Sequence, residues 1–173
     1  ICIVLFYLVC RQLAMSQRAS FLATFLLALD NLSFVQASVA MLDVYMLAFM
    51  LGCFWLYLKG KYLLSGVSAG LSTLAKLTGA LALPTILLHW LLTRGTHPRQ
   101  FAGSLLLAPT SFLLLMPLFD FVVFRQVVNP IARVKTMLSL SSGVTFTNTT
   151  CEVASRPWDW ILHPEIMFYW YEP

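Results

Sequence analysis

Charge is what this chain most lacks. Of its 173 residues 10% are Asp, Glu, Lys or Arg, against about a quarter in a soluble domain, and 60% are hydrophobic. With a mean hydropathy of +0.82, that scarcity excludes an ordinary globular protein and implies an integral membrane protein. Acids are scarcer than bases, seven against eleven, which leaves a formal net charge of +4. A nucleic-acid groove needs clustered basic residues on a solvated face, whereas these are scattered between apolar runs, so no nucleic-acid partner is expected. The four cysteines, Cys2, Cys10, Cys53 and Cys151, show neither CxxC nor metal-ligand spacing. Three fall in apolar segments as small buried hydrophobes, and Cys151 has no evident partner. Neither a disulfide framework nor a metal nor a bound cofactor is expected. The first residue is Ile1, with no initiator Met, no basic n-region and no signal-type cleavage site. The chain starts inside an apolar run and stops in a Trp/Tyr-rich tail, so we expect an internal piece of a longer polytopic protein.

What is present is a series of apolar runs separated by short basic turns. The organising stretch is Gln36 to Gly79, two long apolar runs joined by Lys59-Gly60-Lys61. Basic residues in short loops face the cytoplasm, so the other ends of these runs, marked by Asp43 and Lys76, face outward. Ionisable groups at the margins of membrane helices cost about 2.5–3.5 kcal/mol each if buried unpaired, and they usually line a cavity or pathway. One carboxylate and one ammonium in the same external vestibule form the skeleton of a site for an anionic, lipid-borne substrate.

Around this hairpin, Ile1 to Val9 reads as the end of a helix and Arg11 and Arg18 flank a cytoplasmic turn. Ala19 to about Val35 spans outward and carries Asp30-Asn31 near its outer end, a pair that also serves as a helix-ending or capping signal. Met41 to Leu58 returns inward and Tyr62 to Ala75 goes out, with Gly66 and Gly70 forming a small-residue face that allows close helix approach. Ala80 to Leu92 runs inward with Pro84 as a kink, and Arg94, His97 and Arg99 close that hairpin. Phe101 to about Phe119 is the last span, with kinks expected at Pro109 and Pro117. The cytoplasmic turns hold no acid, and all seven acids fall outside.

From Asp120 the character changes. The sequence divides into transmembrane helices over 1–124 and a short extracytoplasmic, interfacial segment over 125–173. Residues 125–160 are too polar to span and too apolar to be disordered. Asn148-Thr149-Thr150 is an acceptor sequon. Pro157-Trp158-Asp159-Trp160 and Phe168-Tyr169-Trp170-Tyr171 concentrate aromatics as an interfacial anchor does, and such rings also stack on sugars.

Taken in order, Asp30-Asn31, Gln36-Ala-Ser-Val-Ala-Met-Leu-Asp43, Gly70-Leu-Ser-Thr-Leu-Ala-Lys76-Leu-Thr-Gly79 and Pro157-Trp-Asp-Trp160 give a pattern that resembles the protein O-mannosyltransferases and related carrier-dependent glycosyltransferases of the GT-C superfamily. The resemblance implies an all-α, polytopic membrane bundle. It also implies an enzyme that takes a mannose-like sugar from a polyprenyl- or dolichyl-phosphate carrier and delivers it, with inversion, on the outer or lumenal face. The acceptor it implies is a protein, at Ser or Thr, or a glycolipid. The family's catalytic Asp, in the first external loop, is expected upstream of Ile1, so no catalytic residue is assigned here. The family commonly has Arg five residues before the Asp that matches Asp43. This chain has Ser38 there, which favours a divergent prokaryotic relative in a plasma membrane over the endoplasmic reticulum. Transfer from a lipid phosphate needs a base for the acceptor hydroxyl and cations for the phosphate leaving group. Lys76 is the expected clamp, Asp43 its orienting partner or the ligand of a second cation, and Asp30, Trp158 and Trp160 complete the expected carrier and substrate contacts. The alternative is a transporter or scaffold subunit in which Asp43 and Lys76 form a structural pair. A transporter should show an inverted repeat, and none is found.

Overall fold

A computed structural model of the chain describes residues 1–30, 42–93, 97–125 and 129–143. Asn31, Ser38, Arg94, the Asn148 sequon, Cys151, Trp158, Trp160 and the aromatic tail lie outside the described residues. Among the described residues the chain is all-α. It forms α1 (Cys2–Gln12), α2 (Gln17–Ala28), α3 (Leu42–Leu58), α4 (Tyr62–Ala75), a 3₁₀ turn (Leu77–Leu81), α5 (Ala82–Leu92), α6 (Pro98–Phe124) and α7 (Pro130–Gly143). Contacts divide the chain into two units, Ile1–Pro130 and Ile131–Pro173.

Two turns in the first unit are closed by local chemistry. At the end of α3, Lys61 N–H donates to Leu56 O and Gly60 N–H to Tyr57 O, both at 2.9 Å. This is a Schellman closure, with Gly60 at φ 75° supplying the left-handed residue. The end of α1 repeats it less comfortably: Met15 N–H reaches Cys10 O and Ala14 N–H reaches Arg11 O, with Ala14 at φ 59°. Ser16 then caps α2 by accepting the Ala19 amide at 3.2 Å.

Helix α4 is the hub, packed against α6 on one face and α3 on the other. The small-residue face read from the sequence meets α6: a Cβ on Gly66 would stand 2.5 Å from Ser104 O, and one on Gly70 would overlap Ser111 Oγ. The adjacent face carries serines. Ser65, Ser68 and Ser72 donate to the backbone carbonyls of Cys53, Phe49 and Met46 on α3, at 3.0, 2.7 and 2.9 Å. Partner numbers fall as the serine numbers rise, so α3 and α4 are antiparallel; the Gly66–Ser104 and Gly70–Ser111 pairings make α4 and α6 parallel. Cys2 Sγ lies 3.6 Å from Val44 O, which puts the starts of α1 and α3 together. The turns 13–16 and 59–61, the end of α5 at Thr93 and the start of α6 at Pro98 therefore share one end of the unit, the basic end, and Asp43 and Lys76 share the other.

The distribution of polarity is reversed from that of a soluble bundle. Ser20, Ser65, Ser72 and Ser104 are fully buried, while Phe21, Leu26, Leu106 and Leu114 are each more than 60% exposed. Small and hydroxyl residues inside with large apolar ones outside is the arrangement of helices packed in lipid. Of the described helices, only the Pro98–Val123 stretch of α6 is both long and apolar enough to cross a membrane. At 1.5 Å per residue it covers about 39 Å, against about 21 Å for the 14 residues of α4.

Several sequence expectations change. The outward span from Ala19 ends as a helix at Ala28, with Leu29 as its cap, as the helix-ending reading of Asp30 requires. Pro84 stands in the first turn of α5, just after the 3₁₀ turn passes into the α-helix, where a missing N–H is best tolerated. Pro109 and Pro117 lie inside a helix that stays unbroken from Pro98 to Phe124. The polar segment after residue 125 contains a helix, α7, that the sequence pattern did not announce.

Candidate functional site

Asp43 enters in the first turn of α3, and Lys76 is the residue on which α4 ends. Lys76 adopts an extended backbone, φ −154° and ψ 135°. Its amide still closes the helix on Ser72 O at 3.1 Å, and its carbonyl accepts Gly79 N–H at 2.8 Å to start the 3₁₀ turn. Gly79 folds so closely over Ser72 that no Cβ would fit. This reversal carries the chain away from the Lys76 side chain and leaves it free to cross to α3. Lys76 Nζ donates to Asp43 Oδ1 at 2.5 Å, with the side chains 44% and 33% exposed.

Both ends of the bridge favour it electrostatically. A carboxylate in a first helical turn meets the positive end of the helix dipole, and an ammonium at a helix C-terminus meets the negative end. An ion pair this exposed contributes only about 0–1 kcal/mol to stability. Its chemical capacity is greater: two of the three ammonium hydrogens remain to be shared, on a face open to an incoming anion. The pair can position a cation for a phosphate while the carboxylate fixes the direction of approach.

Of the five residues read from the sequence, Asp43 and Lys76 are joined. Asp30 is exposed just past the end of α2, its amide donating to Leu27 O at 3.3 Å. Trp158 and Trp160 lie outside the described residues. Asp120, which sequence reasoning used only as a boundary, is a further acid of interest. It is 5% exposed and continues the buried stripe Ser104, Ala108, Phe112, Met116 along α6. That strict four-residue spacing was readable in the sequence and would have marked Asp120 as facing inward.

At the opposite end sequence reasoning also missed an aromatic cluster. The Tyr57 hydroxyl shares a hydrogen bond with His89 Nδ1 at 3.0 Å. Trp90 stacks on Phe101 with centroids 4.8 Å apart, and Tyr62 packs edge-on against both Tyr57 and Phe101. These contacts join four separate helices, so no local spacing announces them. They pack α3, α4, α5 and α6 together at the basic end.

The model of the dolichyl-phosphate-mannose-protein mannosyltransferases matches residues 1–129. That range takes in α1 to α6, including Asp43, Lys76 and Asp120. No match to an individual curated protein or to a solved structure accompanies it. A match over most of the sequence, with its start and end enclosing the paired charges, fixes the relationship: this chain belongs to the dolichyl-phosphate-mannose-protein mannosyltransferase family.

Proposed function

We propose that the chain is part of a multi-pass membrane glycosyltransferase that moves mannose from a polyprenyl- or dolichyl-phosphate carrier to a protein Ser or Thr on the extracytoplasmic face. In this reading the Asp43–Lys76 end binds the carrier phosphate. The observation that carries it is the placement of Lys76: a half-exposed ammonium at the end of a small-residue helix, oriented by one carboxylate. Breaking a glycosyl–phosphate bond leaves negative charge on the phosphate. A preorganised cation there stabilises the transition state more than the ground state. Proton removal from the acceptor hydroxyl falls to the acidic-loop Asp that the family resemblance implies. The apolar exterior supports several membrane crossings. The departure at Ser38 favours a prokaryotic plasma membrane.

The test is Lys76→Met in the intact enzyme, assayed with polyprenyl-phosphate mannose and an acceptor peptide. The expected loss in kcat/KM is about 10²–10³-fold, as for removal of one preorganised donor, with folding intact. Near-normal transfer by the folded variant would overturn the assignment.

One observation favours a second reading: the two charges are already bonded to each other, as a structural pair in a transporter or scaffold subunit would be. The exchange Asp43→Lys with Lys76→Asp separates them. It restores a bridge, so a structural role predicts recovery, whereas a phosphate site predicts none.

A further inference from the structure

We propose that the basic end of the bundle is a binding surface for anionic phospholipid headgroups, seated in part in the cavity between α1 and α2. This rests on the membrane-spanning reading above. Arg11, Arg18, Lys59, Lys61 and Arg99 are all exposed at this end. Among the described residues the carboxylates Asp30, Asp43 and Asp120 belong to helix termini at the other end. A surface of one sign, ringed by apolar helix sides, is complementary to an anionic leaflet. Each Lys or Arg near such a leaflet adds attraction that fades within a Debye length.

Two local features make this more than a scatter of charges. Lys59 Nζ lies 4.1 Å from the centre of the Trp55 ring, which fixes the ammonium at the level where an indole sits in a bilayer interface. The second is a cavity of about 630 Å³ lined by Tyr7, Ser16, Gln17, Arg18 and Phe21. Its lining is divided as a phospholipid is. Arg18, Ser16 and Gln17 offer a cation and hydrogen-bonding groups to a phosphodiester, and Tyr7 and Phe21 offer ring surface to the start of an acyl chain. The Arg11 guanidinium, which donates to Met15 O at 2.7 Å, holds the turn on which this cavity is built.

The experiment is electron spin resonance of the intact protein in phosphatidylcholine bilayers, with spin-labelled phosphatidylglycerol or spin-labelled phosphatidylcholine as the probe. A motionally restricted lipid population with either label shows that the protein is embedded; its absence with both would instead overturn the membrane-spanning reading. Given that population, the phosphatidylglycerol label should associate about threefold more strongly than the phosphatidylcholine label, and about 0.5 M salt should erase most of the difference. The combined variant Arg18→Gln, Lys59→Gln, Lys61→Gln, Arg99→Gln should bring the ratio close to one, while Arg125→Gln, at the far end of α6, leaves it unchanged. A restricted population with no preference for phosphatidylglycerol, or a preference retained in the combined variant, would overturn the proposal.

Discussion

At Ala14 the backbone turns left-handed with a side chain present. Glycine takes φ near 60° without cost, but a Cβ there crowds the neighbouring carbonyl. Gly60 fills the equivalent place at the end of α3. We therefore predict that Ala14→Gly stabilises the protein by about 0.5–1 kcal/mol, the relief of the Cβ clash exceeding the added freedom of the unfolded chain. A raised midpoint of thermal unfolding in detergent would show it; a lowered one would mean that the α1 closure is not made as described. Legibility divides at this scale too. Asp43 and Lys76 stand out in the sequence because a charge inside an apolar run costs free energy and so needs a reason. Ala14 carries no such mark, because its conformation is imposed by the two hydrogen bonds that close the helix around it.

Helix α4 shows what a short element needs in order to hold a bundle together. Its glycines bring its backbone against α6, and its serines fasten it to α3. Gly70→Ala would drive a Cβ onto Ser111 Oγ and to 2.7 Å from Ala108 O, the first a buried hydroxyl tied to that same carbonyl and the second a backbone atom with little room to give. We predict a loss of about 1–3 kcal/mol, as for other over-packed interfaces. Gly103→Ala is the control. Its Cβ would meet Leu63 Cδ2 at 3.2 Å, the far end of a side chain that is 56% exposed and able to turn aside. That variant should unfold at or slightly above the wild-type midpoint. The range Tyr62–Ala75 was legible because basic turn residues and a lysine bracket a run of small and apolar ones. Helix α7 was not, since PIARVKTMLSLSSG has neither a continuous apolar run nor a clear one-sided pattern. The Tyr57–His89–Phe101 cluster stayed hidden because its members are separated by a dozen or more residues and meet only when the helices assemble.

For the whole molecule, the shared end of the basic turns 13–16 and 59–61 gives a topology that labelling can test. On a background without native cysteines, Lys61→Cys should react with an impermeant thiol reagent only from the cytoplasmic side, and Arg125→Cys, at the end of α6, only from outside. The reverse pattern would invert the orientation and place the Asp43–Lys76 pair in the cytoplasm. The three serine bonds between α3 and α4 carry one more implication. Each is worth only about 0.6 kcal/mol on average for an interhelical bond in a membrane, but all three are set by a single register. Sliding one helix along the other would break them together, as teeth lifted from one rack. The two helices that bear the charged pair therefore move together, and any widening between carboxylate and ammonium comes from the turning of their side chains rather than from the parting of the helices.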